Sequence, residues 1–175
     1  MQPHNNTLLL LSGIRIPFLD PKPEHININD IAAGLGNNSH FGGQVPKFFS
    51  IAEHSMLTMK LVLDATSDNE LAFAGLLHDA SEAITGDFRK PIKDNIRDIV
   101  PIEKKIQQVI FEKYGLSPEL LKAVKPFDIQ AQEIEYQNFY FGGTYPLHYY
   151  TPEEAIFQFL IAYKRISKLT RRKAA

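Results

Sequence analysis

Apolar residues fall at helical spacing along most of the chain. Ser50 followed three residues on by Glu53 has the spacing of a capping box. It opens a predicted helix over 52–65, with Met56, Met59, Leu61 and Leu63 among its apolar positions. A second helix is predicted from Ser67 or Asp68 through Ala83, apolar nearly all round and so expected inside the domain. Gly86 and Pro91 mark 85–93 as a loop. Ile102, Ile106, Val109 and Ile110 then repeat at 3.6-residue spacing from Pro101 to Tyr114-Gly115. Ser117-Pro118-Glu119 starts a short helix ending near Val124. Another spans 127–139 and stops at Gly142-Gly143. Thr151-Pro152-Glu153-Glu154 starts the last helix, which carries Ile156, Phe159, Leu160, Tyr163 and Ile166.

The first fifty residues read differently. Pro17, Pro21, Pro23, Gly36, Gly42, Gly43 and Pro46 break them up. One short helix is predicted there from Asp30 to Leu35, capped by Asn29 and closed by Gly36, with a short β segment around 8–15. The expectation is an all-α fold of six or seven helices in a single domain over 1–175, with a loop-rich segment at 1–50 packed on it.

Composition narrows the chemistry. The chain has 175 residues and no Cys, which excludes disulfides, thiolate catalysis and Cys-ligated zinc. Nineteen Lys and Arg against twenty Asp and Glu leave a net charge of −1, which argues against a whole-surface nucleic-acid or membrane footprint. No apolar run approaches the roughly 20 residues that span a bilayer. The start of the chain, with His4 and no basic segment, lacks the anatomy of a signal peptide, so a cytoplasmic protein is expected.

The informative residues are His78 and Asp79, two strong metal ligands side by side in an otherwise apolar segment. Glu82 lies four residues after His78 and three after Asp79, on the same helical face, where it could orient or deprotonate a water. His54 sits on the preceding buried helix, and Asp128 follows Phe127 on a third. Singly, each has a plain structural explanation: a hydrogen-bonded core histidine, or an aspartate that caps its helix or pairs with Lys125. Together they form a borderline-hard set suited to one divalent ion, with Mn, Co, Ni, Fe, Zn and Mg all open.

The order Ser50-Ile51-Ala52-Glu53-His54-Ser55, then Leu77-His78-Asp79-Ala80-Ser81-Glu82-Ala83 with Thr85-Gly86-Asp87 and Pro91-Ile92-Lys93, then Phe127-Asp128, resembles the HD-domain phosphohydrolases. It is similar above all to the small branch holding the bacterial 5′-deoxynucleotidase and the phage or prophage hydrolases. The resemblance covers roughly residues 12–139. It implies a helical bundle in which His54, His78, Asp79 and Asp128 hold the metal and Glu82 activates the attacking water. Asp87 would meet the deoxyribose hydroxyl and Lys93 the phosphate. Where relatives read Arg-Phe-Gly-Gly-His, this chain reads His40-Phe41-Gly42-Gly43-Gln44. His40 then replaces a phosphate-binding arginine, or the phosphate is held elsewhere, by Lys47 or Arg15. Phe41 is a candidate to stack on the base or pack on the sugar.

The resemblance implies a nucleotide phosphohydrolase, with deoxynucleoside 5′-monophosphates as substrate. A triphosphohydrolase releasing triphosphate is the alternative, and a metal- or nucleotide-binding protein with weak turnover is a reading of another class. The remaining histidines (His4, His25, His40 and His148) do not match a second metal site of the cyclic-dinucleotide type. The basic run of Lys164, Arg165, Lys168, Arg171, Arg172 and Lys173 suits a solvated helix end. Phe139, Tyr140, Phe141, Tyr145, Tyr149 and Tyr150 suit a pocket rim or a subunit interface, which leaves a homo-oligomer open.

Overall fold

The capping box forms as the sequence predicts. The Ser50 hydroxyl accepts from the Glu53 backbone N–H at 3.2 Å, and a Glu53 carboxylate oxygen accepts from the Ser50 N–H at 3.0 Å. In the computed structural model, which describes residues 6–173, this opens α2 (Ile51–Thr66). His4 and the side chains of Arg171, Arg172 and Lys173 lie outside what is described. The chain is all-α, with one antiparallel pair of short strands among the described residues, β1 (Thr7–Leu9) and β2 (Arg15–Pro17). The single β segment expected at 8–15 is thus two strands turning through Gly13, whose φ of +88° favours glycine.

The other helices are α1 (Ile28–Asn37), α3 (Asn69–Leu77), α4 (Glu82–Thr85), α5 (Lys90–Lys93), α6 (Ile99–Tyr114), α7 (Leu120–Tyr140) and α8 (Pro152–Lys173). One contiguous core, from Ile16 to Ile166, runs through these helices except α5. Helix α2 packs on α3 and α7, and α8 lies across α1, α2 and α3.

The stretch expected as a loop at 85–93 carries the short helix α5, and three boundaries also differ from the sequence reading. Helix α1 is capped by Asn27, not Asn29, and continues through Gly36. Gly36 is not a stop. A Cβ there would lie 2.4 Å from Ile156 Cγ1, so glycine lets α1 approach α8. Second, the two helices expected either side of Pro126 are one 21-residue helix, α7. Pro126 is exposed, so the carbonyl it leaves unpaired faces water. Val124 and Ala131, both buried, hold the helix on either side of it.

The third difference matters most. The helix expected through Ala83 stops at Leu77, and the chain turns on through Ala80 N→Leu77 O, Glu82 N→Asp79 O and Ile84 N→Ser81 O bonds of the i→i+3 kind. The buried side chain of Gln107 on α6 causes the change. Its Nε2 donates to Leu77 O at 2.7 Å and its Oε1 accepts from Ser81 N at 3.0 Å. Those two backbone groups are the pair that an uninterrupted α-helix would join, so the amide has inserted into the ladder.

Candidate metal centre

His54 comes from the first turn of α2, His78 and Asp79 from the break after α3, and Asp128 from the middle of α7. The structure brings all four together, with one ligand atom of each within 4.8 Å of the others. His54 Nε2 stands 3.3 Å from His78 Nε2, 3.2 Å from Asp128 Oδ1 and 3.7 Å from Asp79 Oδ2. His78 Nε2 stands 3.0 Å from Asp79 Oδ2 and 3.5 Å from Asp128 Oδ1. Bonds of about 2.1 Å to one ion give donor separations of roughly 3.0–3.4 Å, which three of these five distances match, so the set could hold a metal ion.

The far sides of the ligands are anchored. His78 Nδ1–H donates to Gly75 O at 2.8 Å, and His54 Nδ1 contacts Glu135 Oε1 at 2.8 Å. Both rings therefore turn Nε2 toward the same point, the arrangement a metal site requires of its histidines. Asp128 accepts from Gln132 Nε2 at 2.7 Å and pairs with Lys125 at 2.6 Å. The Lys125 pairing expected of an isolated Asp128 coexists with its place in the cluster.

Charge reinforces the geometry. Burial opposes the imidazolium form of His78, but the carboxylates of Asp79 and Asp128 outweigh it and push the group up to about 9. His54 is raised well above the ordinary range against the same burial penalty, by Glu135 first and then Asp128. Asp79 is held down to about 2, where the His78 charge overcomes burial, and Asp128 lies below the carboxylate range. The centre is a knot of buried opposite charges.

Glu82 is buried beside it. Burial and the charge of Asp79 push it up to about 8 against the pull of Lys93. Lys93 is bound on two sides, 2.9 Å from Glu82 Oε1 and 3.0 Å from Glu103 Oε2. Asp87 takes the Gly42 N–H on Oδ2 at 3.0 Å, joining the 40–43 turn to the 86–88 loop across an open recess of about 360 Å³. Phe41 sits in that turn with φ +55°, its ring 4.5 Å from His40 and 5.8 Å from Phe139. His40 is buried, with Nδ1 at 3.0 Å from Glu135 Oε2. Its side chain faces the interior on that side.

Glu135, Glu103 and Gln107 escaped the sequence reading, although each left a trace. On α7 the buried positions are Val124, Asp128, Ala131, Glu135 and Phe139, a heptad-like stripe in which two members are acidic. On α6, Glu103 and Gln107 are buried one turn apart on the face that carries Ile106 and Ile110. The aromatic cluster divides. Phe139 packs edge-on against Phe49 and Phe41, while Tyr145 and Tyr150, with Met56 and Leu63, line a separate cavity of about 610 Å³ on another face of α2. Among the described residues, no helix is long and apolar enough to cross a membrane.

No family model matches the chain. It is similar to the uncharacterized protein YfdR of Escherichia coli, 42% identical over 106 residues that make up 61% of this chain and 57% of that protein. It is also similar to an uncharacterized protein of Rhodobacter capsulatus, 34% identical over 136 residues, 72% of this chain and 69% of that protein. The match thus spans little more than half the length of the Escherichia coli relative.

Proposed function

The chain belongs to the same family as the Rhodobacter capsulatus protein, and we propose that it is a metal-dependent phosphohydrolase of the HD-domain kind, acting on deoxynucleoside 5′-monophosphates. The observation that carries this reading is the convergence of two Nε2 atoms and two carboxylates from three separate helical segments, with a buried basic carboxylate beside them. His54, His78, Asp79 and Asp128 would hold one divalent ion. Such an ion supplies Lewis acidity toward a phosphoryl oxygen and toward water.

The residues around it divide the remaining work. Glu82, with an affinity for protons matched to neutral pH, accepts the proton of the attacking water. Lys93, oriented by Glu103, offsets charge on the phosphoryl group, and it already lies against the base. Asp87 has Oδ2 committed to Gly42 and offers its second oxygen to a sugar hydroxyl. Phe41 belongs to the turn whose Gly42 and Gly43 bound this recess, and Phe88 lines it from the opposite loop. A ribose 2′-hydroxyl packed against such an aromatic edge finds no partner, at a cost of about 1–3 kcal/mol, and this supports preference for a deoxynucleotide. Outside the ligand histidines, Lys93 and Lys125 are the side chains of positive charge paired with carboxylates at the centre. So small a positive charge favours a monophosphate over a triphosphate.

The test is release of phosphate or triphosphate from a panel of deoxynucleoside mono- and triphosphates and their ribose counterparts, with Mn²⁺ or Co²⁺ and an EDTA control. Phosphate from the deoxynucleoside monophosphates alone is expected. Triphosphate release would replace the substrate, and no release with any metal would overturn the reading.

A further inference from the structure

Glu135 has no part in the chemistry just described, yet it is completely buried, where an unpaired carboxylate is costly. Its two oxygens face two imidazoles. Oε1 lies 2.8 Å from His54 Nδ1 and Oε2 lies 3.0 Å from His40 Nδ1. The His40 and His54 rings are themselves 4.3 Å apart, centre to centre. A carboxylate only accepts, so the Nδ1 of His54 must carry its hydrogen. In the neutral ring this leaves the lone pair on Nε2, the atom turned toward His78 and Asp128. Contact with Oε2 directs His40 at Glu135. The 3.0 Å contact lies off the line of a good hydrogen bond, so His40 meets the carboxylate through a bent polar contact backed by packing. His40 is itself fixed at the base of its loop, where its N–H donates to Phe49 O at 2.8 Å and Ser39 bridges Ser50.

We propose that Glu135 and His40 are positioning residues for His54. Glu135 fixes the tautomer and ring plane that aim Nε2 into the metal centre, and His40 braces the far oxygen of Glu135 rather than holding phosphate. This rests on the metal reading above and accounts for His40 where the arginine of similar proteins is missing. An outer partner of this kind typically sets metal affinity by about 10- to 100-fold.

The experiment is calorimetric titration of Mn²⁺ into the metal-free wild type, E135Q, H40A and H40N, with circular dichroism to confirm the fold. KM for a deoxynucleoside monophosphate is measured at saturating Mn²⁺. E135Q keeps the shape and loses the charge, so its Mn²⁺ affinity should fall about 10- to 100-fold. H40A should weaken Mn²⁺ several-fold, and H40N, which keeps a donor near the Nδ1 position, should recover most of the loss. KM at saturating metal should stay within about 3-fold of wild type for both His40 variants, because neither changes a substrate contact. Wild-type affinity in E135Q would overturn the proposal. So would an H40A variant with unchanged Mn²⁺ affinity and a KM raised tenfold or more, which would return His40 to the phosphate. Two ions per wild-type chain would make Glu135 a ligand of a second site and overturn it too. A wild type that binds no Mn²⁺ would remove the metal reading itself, and this assignment with it, before any variant is compared.

Discussion

Replacing Gln107 by Leu tests whether the break at 78–81 is imposed from outside the segment. The substitution nearly preserves volume but withdraws both the acceptor for Ser81 N–H and the donor for Leu77 O. Leu77 O keeps its bond from the Ala80 N–H, so Ser81 N–H is the group left buried and unpaired, and the rigid limit is about 1–3 kcal/mol. The segment has one escape, since Ser81 N–H and Leu77 O can close the helical bond between themselves. Closing it recovers much of that energy but straightens the turn that presents Asp79 and Glu82. The expected net loss is therefore about 1–2 kcal/mol, and metal affinity should fall with it. Urea unfolding in EDTA reads the first, and Mn²⁺ titration the second. A Q107L protein within about 0.5 kcal/mol of wild type, with unchanged Mn²⁺ affinity, would refute the reasoning.

Three further outcomes follow from the same structure. Glu82→Ala should keep the fold and bound metal but lose about 10²-fold or more in kcat, checked by single-turnover kinetics beside a metal assay. Gly34→Ala should destabilise by about 1–3 kcal/mol despite the helix propensity of alanine. The added Cβ would sit 2.3 Å from Ala83 O and 2.6 Å from its Cα, backbone that cannot step aside. Denaturant unfolding checks this, and a gain near 1 kcal/mol would show that α4 yields freely. In EDTA, the raised groups of His54 and His78 contribute stability that is complete below about pH 6.5 and lost as pH rises, for His78 through about 9. The depressed Asp79, Asp128 and Glu135 contribute above about pH 4.5 and lose it as pH falls, Asp79 and Glu135 toward about 2. Metal-free unfolding free energy should thus fall between pH 6.5 and 9, while Mn²⁺ affinity rises over the same interval because binding displaces those protons.

What the sequence disclosed depended on whether the cause was local. The α2 start was legible because Ser50 and Glu53 satisfy each other three residues apart, and the helical faces because their period is written in consecutive turns. Proline 126 misled because the rule that a proline ends a helix ignores packing at Val124 and Ala131. Gly36 looked like a cap because Ile156, the side chain that requires it, lies 120 positions further along. The break after Leu77 depends on a glutamine from another helix. At the centre, His54, His78, Asp79, Glu82 and Asp128 stood out as charge in apolar surroundings. Glu103, Gln107 and Glu135 interrupt equally apolar stripes, but their partners (Lys93, the 77–81 turn, His40 with His54) are visible only in three dimensions.

The placement of α8 bears on the order in which the molecule can assemble. Ala155 and Phe159 are wholly buried, Tyr163 lies 5.8 Å from Phe73 ring to ring, and Ile156 fills the notch at Gly36. Every residue of the candidate centre precedes this helix in the chain, so during synthesis all of them leave the ribosome before the segment that seals the interior. Joining α1 to α8 closes a loop of over a hundred residues, whose entropy is spent before the contacts repay it. Nascent chains arrested before Pro152 should therefore stay protease-sensitive throughout, with α1 and α3 exposing the apolar surface that α8 later covers. Folding would then be a late, single event rather than growth outward from the amino terminus.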